Sequence, residues 1–308
     1  MRIVVMGAGG VGGFFGAYLA KEGHDVAFIA RGAHLTAMQQ GGLKLLGPDG
    51  DVILDKVEAV ESASELGAPA DIILFCVKLY DTETAAESLK PIVGPDTLVI
   101  SLQNGVDGPD RIAAILGEEH VLGGAAYVSA LIEEPGTIRY TSAMRSIVFG
   151  RLDRAHSELA SAFANACNEC EFKAETSADI RRTLWNKFVL LATNSALTTL
   201  TRQPAGPLYT DEEVLVVARA MMEEVVSVAT AEGVTVDEDI VDRQIALSKT
   251  LPAGMYASMY HDLNRGRRME IESLSGLIAR QGMKHGLSVP HHSLVWNALK
   301  HYKDGSPA

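Results

Sequence analysis

The sequence contains little cysteine, little positive charge and no long apolar run. Three cysteines in 308 residues are too few for a disulfide framework, so we expect a reducing compartment. The 27 Lys and Arg residues form no basic block and are outnumbered by 39 Asp and Glu, which argues against nucleic-acid binding. No apolar stretch reaches the roughly 18 residues that span a bilayer, and no secretory leader pattern precedes the first strand. We therefore expect a cytoplasmic protein that binds neither nucleic acid nor membrane.

The three cysteines also give little support for redox chemistry. Cys167 and Cys170 have the C-x-x-C spacing, but their surroundings indicate the end of a helix and nothing like a thioredoxin context. We interpret them as two reduced thiols. Cys76 lies within an apolar run and is expected in the core.

A glycine-rich turn follows the first apolar segment. Residues 3–6 predict a strand and residues 11–22 predict a helix, so the glycines lie between the two. The spacing G-x-G-x-x-G in that context is typical of the phosphate-binding turn of a dinucleotide fold. Gly7 would allow the tight turn, Gly9 the approach of the pyrophosphate, and Gly12 the close packing of helix on strand. The cofactor-binding residues predicted here are Gly7, Ala8, Gly9, Gly10, Val11 and Gly12.

The residue after the second strand indicates which dinucleotide is bound. Residues 25–30 predict this strand, and an NAD site usually has Asp or Glu at its end to accept a hydrogen bond from the ribose 2′-hydroxyl. This chain has Arg31 instead, and a guanidinium suits a 2′-phosphate. A solvated surface arginine is the alternative. We predict NADP(H) as the cofactor.

The first half of the chain alternates strand and helix patterns. Its continuous apolar runs lie at residues 71–77, 98–102 and 121–126. Such runs suit strands buried on both faces of a parallel sheet, and their alternation with helices indicates βαβ units. Residues 138–140 and 146–149 look like an added antiparallel pair. We predict an α/β fold, with a Rossmann-type doubly wound parallel sheet in an NADP-binding domain of residues 1–176.

The second half changes to long helical patterns. Helices are predicted at residues 179–200, 211–232, 237–251 and 268–285, with a shorter one from 289 to 302. Thr210 is a plausible N-cap for the second of these, and the tail from residue 304 to 308 is expected to be disordered. We therefore predict an all-helical C-terminal domain of residues 177–308 for substrate binding and dimerisation, since its long apolar helices are compatible with a homodimer.

Three polar residues stand where ligand chemistry is expected. Lys78 and Asn104 each follow an apolar run, and ligands bind at the carboxyl ends of parallel strands in such sheets. Lys187 lies in an otherwise apolar helix, where burial lowers the pKa of a lysine so that it can act as an acid near neutrality. The alternatives are a solvent-facing lysine for Lys78, an ordinary Asn-Gly turn for Asn104, and a lysine with its head in water for Lys187.

A second polar group spans Ser258 to Glu270. It contains the segment Ser258-Met-Tyr-His-Asp262 and ends at the carboxylate of Glu270. The arginines between them are Arg265, Arg267 and Arg268, and they fit an ordinary solvated basic turn.

The spacing of these residues resembles the ketopantoate reductase (2-dehydropantoate 2-reductase) family over nearly the whole chain. The Lys187 helix and the segment from Ser258 to Glu270 are fairly specific to that family, whereas the glycine turn alone is not. The motifs that match are Gly7 to Gly12, Arg31, Val77-Lys78, Gln103-Asn104-Gly105, Leu184-Trp185-x-Lys187, Leu197-Thr198, Ser258-Met259-Tyr260-x-Asp262 and Glu270-Ile271-Glu272.

The resemblance implies NADPH-dependent reduction of 2-dehydropantoate to (R)-pantoate, a step of pantothenate biosynthesis. Lys187 would donate the proton to the ketone oxygen as hydride arrives, and its charge would stabilise the developing alkoxide. Glu270, the second catalytic residue, would contact the cofactor and orient the site. Further implied cofactor contacts are Lys78, Asn104 and Ala130. The substrate contacts are Asn104, Lys187, Asn194, Ser195 and Ser258, and no metal site is predicted.

The chain also departs from the family pattern. The best-known members carry asparagines four and eight residues after the catalytic lysine and another further on, and these hold the substrate's hydroxyl and carboxylate groups. The corresponding residues here are Leu191, Ser195 and Ala205, while Asn194 is one residue off, about 100° around a helix. Another small 2-keto acid or ketone is therefore an alternative substrate. A non-catalytic NADP(H)-binding regulator is a further alternative, but it requires a disabled site, whereas both catalytic residues are present.

Overall fold

The computed structural model describes residues 1–305 of the chain, and the last three residues of the predicted disordered tail lie outside it. The chain divides into two units. The N-terminal unit comprises Met1–Gln103 and Asp107–Ile180, and the C-terminal unit comprises Asn104–Val106 and the chain from Arg181 onwards. Asp304, in the described part of the tail, forms an ion pair with Arg268.

The N-terminal unit is built on an eight-stranded sheet. Its strands are β1 (Arg2–Met6), β2 (Asp25–Ile29), β5 (Glu58–Val60), β6 (Ile72–Phe75), β7 (Leu98–Ser101), β8 (Val121–Tyr127), β11 (Ser146–Arg151) and β12 (Lys173–Thr176). Their order is β12-β11-β8-β7-β6-β1-β2-β5. All are parallel except that β11 and β12 run opposite to the rest. The strand order reverses at β1, which confirms the predicted Rossmann-type doubly wound sheet.

Both faces of this sheet are buried, as its continuous apolar strands predict. The helices of the unit are α1 (Gly10–Lys21), α2 (Gly32–Gly41), α3 (Thr82–Leu89), α4 (Gly108–Leu116) and α5 (Glu158–Glu169). In β1, Ile3 and Val5 belong to a core that includes residues of α1 and α5. Val4 and Met6 belong to a second core that includes residues of α3 and α4. Alternate side chains thus point to opposite faces.

A second sheet of four strands was not predicted. It consists of β3 (Leu43–Leu46), β4 (Val52–Leu54), β9 (Ala130–Glu134) and β10 (Thr137–Tyr140), in the order β4-β3-β10-β9. The predicted antiparallel pair of residues 138–140 with 146–149 is therefore wrong. β10 pairs with β3 and β9, because its apolar Ile138 packs against α1, where a Cβ on Gly13 would lie 2.7 Å from Ile138 Cγ1. β11 pairs with β8 instead.

Two of the three cysteines take the structural positions that were expected of them, whereas Cys76, expected in the core, is only partly buried and packs against it. Cys167 and Cys170 are buried free thiols, the former in α5 and the latter its C-terminal cap. Burial raises the pKa of Cys170 to about 12 and raises the pKa of Cys76 as well, so neither is a thiolate near neutrality.

The described residues of the C-terminal unit form helices joined by turns and loops and contain no strand, as predicted. Its helices are α6 (Ile180–Thr201, whose first residue groups with the N-terminal unit), α7 (Ala205–Thr210), α8 (Glu212–Ala231), α9 (Ile240–Ser248), α10 (Ser258–Asn264), α11 (Ser275–His285) and α12 (Pro290–Leu299). The N-cap of α8 is Asp211, whose carboxylate accepts from two first-turn amides, so the choice of Thr210 was wrong. In the described chain, every helix falls short of the length or hydropathy that a membrane span requires.

A buried carboxylate joins three helices of this unit. Glu224 of α8 accepts hydrogen bonds from the amides of His291 and His292 in the first turn of α12, at 2.9 and 3.0 Å. The same carboxylate bonds the His291 ring at 2.6 Å, and the His292 ring bonds Ser275 of α11 at 3.1 Å. Glu224 therefore serves as a cap supplied by a neighbouring helix, at an end where negative charge is favoured.

Replacement of Glu224 with alanine is expected to lower the free energy of unfolding by about 3 kcal/mol, because the buried donors of α12 lose their acceptor. Chemical denaturation monitored by circular dichroism measures this change. The neighbouring Glu223 is exposed, so Glu223→Ala is the matched control and should stay within about 0.5 kcal/mol of the wild type. Equal effects of the two substitutions would contradict this role for Glu224.

Candidate active site

The carboxyl ends of four neighbouring parallel strands are in register. Met6 of β1 pairs with Ile29 of β2 and Phe75 of β6, and Phe75 pairs with Ser101 of β7. The segments that follow these strands therefore leave the sheet at one edge. They carry the glycine turn, Arg31, Lys78 and Asn104 respectively, so the topology brings the predicted residues to the edge where such sheets bind ligands.

The glycine turn has the backbone that its sequence predicts. Gly7 has φ +96°, a conformation that favours glycine. A Cβ on Gly12 would lie 2.2 Å from the carbonyl oxygen of Gly7 and 2.7 Å from Val5 Cγ1 of β1, so only glycine lets helix and strand approach this closely. Gly9 is the N-cap of α1, and a Cβ built on it meets nothing within 4 Å. The surface at Gly9 is thus open to a ligand.

The neighbouring residues of the turn are held from two sides. The amides of Gly7 and Ala8 both donate to the carbonyl of Ile29 at the end of β2, at 3.1 and 3.2 Å. Gly10 lies against Ala130 at the start of β9, since its Cβ would be 2.1 Å from the Ala130 carbonyl oxygen. The second sheet therefore fixes the start of α1, in which Val11 is the second residue.

Arg31 lies two residues beyond β2. It is exposed and is the N-cap of α2, with extended backbone angles. Its guanidinium and the first amides of α2 are both suited to an anion. No acidic residue stands between the end of β2 and this helix.

The segment after β6 is anchored on either side of Lys78. Gln103 Nε2 donates to the carbonyl of Val77 at 3.1 Å, while Thr82 Oγ1 and an Arg111 nitrogen both donate to the carbonyl of Leu79 at 2.8 Å. Lys78 itself is half-buried at the start of a short 3-10 turn. The backbone from which its side chain extends is therefore fixed.

Lys187 and Asn104 meet within the C-terminal unit. The ammonium of Lys187, on α6, donates to Asn104 Oδ1 at 3.2 Å. Desolvation of the partly buried side chain lowers the pKa of Lys187 to about 8, so the ammonium can release a proton near physiological pH. The Lys187 ammonium is thus hydrogen-bonded within the fold, and its role as an acid stays a prediction.

Further along α6, Asn194 lies seven residues after Lys187, two helical turns on and on nearly the same face. Asn194 is buried, and its Oδ1 accepts a hydrogen bond from the hydroxyl of the fully buried Tyr209 at 3.2 Å. Ser195 is also buried and Leu191 is partly buried. The carbonyl oxygen of the Asn194 amide is thus hydrogen-bonded within the fold.

Glu270 lies outside the helix that was predicted for it, whereas Ser258 lies in a helix that was not predicted. The predicted helix over residues 268–285 begins only at Ser275, and residues 271–274 before it form turns, in which the amides of Ser273 and Leu274 both donate to the carbonyl of Glu270. Glu270 is buried in this turn. Ser258 is exposed at the first position of α10, and the preceding amide of Ala257 bonds Thr198 Oγ1 of α6 at 3.4 Å.

Two residues of the site were not found by sequence reasoning. Gln103 was noticed only as part of a motif, and nothing in the local pattern indicated the contacts of its amide. Tyr209 was not singled out. Both act through partners far away in the chain, which single-sequence patterns do not show.

Models of known families match the chain in two parts. "Ketopantoate reductase PanE/ApbA" matches residues 3–154, and "Ketopantoate reductase PanE/ApbA C terminal" matches residues 179–303. Together they span most of both units.

Three known proteins are similar to this chain over almost its full length. The 2-dehydropantoate 2-reductase of Mesorhizobium japonicum is 31% identical, over 92% of this chain and 91% of its own. A PanE/ApbA family ketopantoate reductase from Ralstonia eutropha JMP134 has a crystal structure with a TM-score of 0.90 at 34% identity, covering 98% of both chains. The ternary structure of D-mandelate dehydrogenase with NADH and anilino(oxo)acetate has a TM-score of 0.89 at 25% identity, covering 98% of both chains.

Proposed function

Because this chain belongs to the ketopantoate reductase family, a family of oxidoreductases, we propose that it uses NADPH to reduce the ketone of a 2-keto acid. The first substrate to test is 2-dehydropantoate, which would give (R)-pantoate. The observation that carries the proposal is the hydrogen bond of the Lys187 ammonium to Asn104, at a position where burial lowers the pKa of the lysine to about 8. This is the acid that reduction of a ketone requires.

The edge residues of the N-terminal unit fit a dinucleotide. The open surface at Gly9 and the first amides of α1 suit a pyrophosphate, and the exposed Arg31 suits a 2′-phosphate. Lys78 adds positive charge after β6, and Ala130 fixes the turn through Gly10. When bound, the cofactor supplies the hydride.

The residues of the C-terminal unit would handle the proton. Lys187 donates it to the ketone oxygen, and its positive charge stabilises the oxygen while negative charge develops there. Asn104 accepts one N–H of the ammonium, which limits the directions that the remaining N–H bonds can take. The buried carboxylate of Glu270 is assigned the role of orienting the site.

A different 2-keto acid is the second candidate substrate. Leu191 places an apolar side chain one turn after Lys187, and the Oδ1 of Asn194 is already bonded to Tyr209. These features leave fewer polar groups that could form hydrogen bonds with the hydroxyl of a hydroxylated substrate. The similarity to D-mandelate dehydrogenase points to 2-keto acids with a larger apolar group as further candidates.

The proposal is tested by NADPH oxidation with a panel of 2-keto acids that includes 2-dehydropantoate, 4-methyl-2-oxopentanoate and phenylglyoxylate. A preference for 2-dehydropantoate in kcat/KM supports the first substrate, and a preference for an apolar keto acid supports the second. If neither NADPH nor NADH is oxidised with any of them, reductase activity is contradicted, and NADPH binding alone would favour a regulator.

Replacement of Arg31 with alanine is expected to raise the Kd for NADPH about 30-fold, because charge-assisted bonds to the 2′-phosphate contribute about 2 kcal/mol. The Kd for NADH should change by no more than about 2-fold. Fluorescence titration of both cofactors measures the two values. Arg139→Ala, which removes a half-buried arginine paired with Glu133, is the control. An equal loss for NADPH and NADH would exclude contact with the 2′-phosphate.

A further inference from the structure

The amide of Gln103 is buried and fully bonded. Its Nε2 donates to the carbonyl of Val77 at 3.1 Å and to Thr82 Oγ1 at 2.9 Å. Its Oε1 accepts from the hydroxyl of Ser101 at 3.1 Å. Both N–H bonds and the carbonyl thus have partners, which fixes the orientation of the amide. All four residues belong to the N-terminal unit.

These partners connect the segments that follow β6 and β7. Val77 is the residue before Lys78, and Gln103 is the residue before Asn104. Thr82 extends this hydrogen-bond network, because its hydroxyl donates to the carbonyl of Leu79, the residue after Lys78. A single amide therefore determines how the backbone of the Lys78 segment lies relative to the backbone that leads into Asn104.

We infer that Gln103 is a positioning residue of the reductase site. Its amide fixes the backbone on both sides of Lys78, and its own backbone leads directly into Asn104, whose Oδ1 accepts from the Lys187 ammonium. This inference rests on the proposed function for its effect on turnover. It does not rest on that function for its effect on cofactor affinity, because Lys78 is a candidate cofactor contact.

The role requires an amide and not merely a side chain of that size. A carboxylate at this position has no hydrogen to donate, so it would place negative charge against the Val77 carbonyl and the Thr82 hydroxyl oxygen. An apolar side chain would leave buried acceptors unsatisfied. A protonated carboxylic acid, however, has one O–H that can donate to the Val77 carbonyl. Gln103→Glu should therefore regain function as pH falls.

The experiment compares Gln103→Ala and Gln103→Glu with the wild type and with Gln39→Ala. Gln39 is a matched control, because its Nε2 donates to one backbone carbonyl, that of Ala59, at 3.0 Å. The measurements are kcat and KM with the best 2-keto acid between pH 6 and 8, the NADPH Kd by fluorescence titration, and the thermal unfolding temperature.

We expect Gln103→Ala to lower kcat about 100-fold, the loss expected when catalytic groups shift by about 1 Å, and to raise the NADPH Kd several-fold. Gln39→Ala should leave both unchanged. For Gln103→Glu, the activity relative to the wild type should rise as pH falls from 8 to 6. If both Gln103 variants match Gln39→Ala in kcat and NADPH Kd, or lose only thermal stability, the inference is overturned. If the wild type reduces no 2-keto acid, the proposed function fails, and the NADPH Kd values still decide whether Gln103 positions the Lys78 segment.

Discussion

Replacement of Lys187 with alanine is expected to lower kcat for keto-acid reduction by at least about 10³-fold, while the NADPH Kd stays within about 3-fold of the wild type. The size of the loss combines proton donation with stabilisation of the developing alkoxide. Single-turnover oxidation of NADPH measures the chemical step. Lys284→Ala, at an exposed lysine paired with Glu232, is the control and should be fully active.

The pH profile separates the two contributions of Lys187. Burial lowers the pKa of Lys187 to about 8, so the protonated fraction falls above that pH, and kcat/KM should fall with it, by roughly tenfold per pH unit. Lys187→Arg keeps the charge but has no proton to give near neutrality. This variant should be slow and should not show the fall in kcat/KM near pH 8. A wild-type profile that is flat from pH 7 to 10 would remove Lys187 as the proton donor.

Adjacent glycines of the cofactor turn should respond in opposite ways to alanine. At Gly9 the added Cβ meets nothing within the fold, and its φ of −73° suits any residue. Gly9→Ala should therefore keep its free energy of unfolding but weaken NADPH binding by up to roughly 100-fold, since the methyl group occupies the ligand's approach. Gly10→Ala should instead destabilise the fold by more than about 2 kcal/mol, because its Cβ would overlap the Ala130 backbone.

Denaturant unfolding and NADPH titration of both variants test this contrast. Each variant serves as the control for the other, because the two substitutions add the same methyl group one residue apart. The assignment of Gly9 to the cofactor surface would be wrong if Gly9→Ala bound NADPH as the wild type does. Full stability of Gly10→Ala would contradict the contact with β9.

The parts of the fold that local sequence determines could be predicted. The apolar runs that became β1, β6 and β7 are buried on both faces, so their pattern alone indicates a parallel sheet. The second sheet could not be predicted, because its strands are short and β9 is an exposed edge whose side chains follow no buried pattern. The start of α11 was placed too early, since no glycine or proline in residues 268–274 marks a break, although the helix begins only at Ser275.

In the candidate site, too, some residues could be predicted from the sequence, whereas the contacts between distant residues could not. The glycine turn and Arg31 occupy fixed positions after their strands, so sequence spacing was enough to single them out. The Lys187–Asn104 hydrogen bond joins residues 83 positions apart, and the Gln103 contacts reach 21 and 26 positions back. Such pairings depend on how the strands and helices assemble, which a single sequence does not specify.

The glycines of α1 have a consequence for the order of folding. Gly12, Gly13 and Gly16 each lower the intrinsic stability of this helix by about 1 kcal/mol relative to alanine. A larger residue would not fit at these three positions, because its Cβ would lie too close to Val5, Ile138 or Phe28. Because Ile138 is distant in the chain, we expect α1 to become stable only once this contact has formed. The dinucleotide turn at its start should then be completed late in folding, after both sheets of the N-terminal unit.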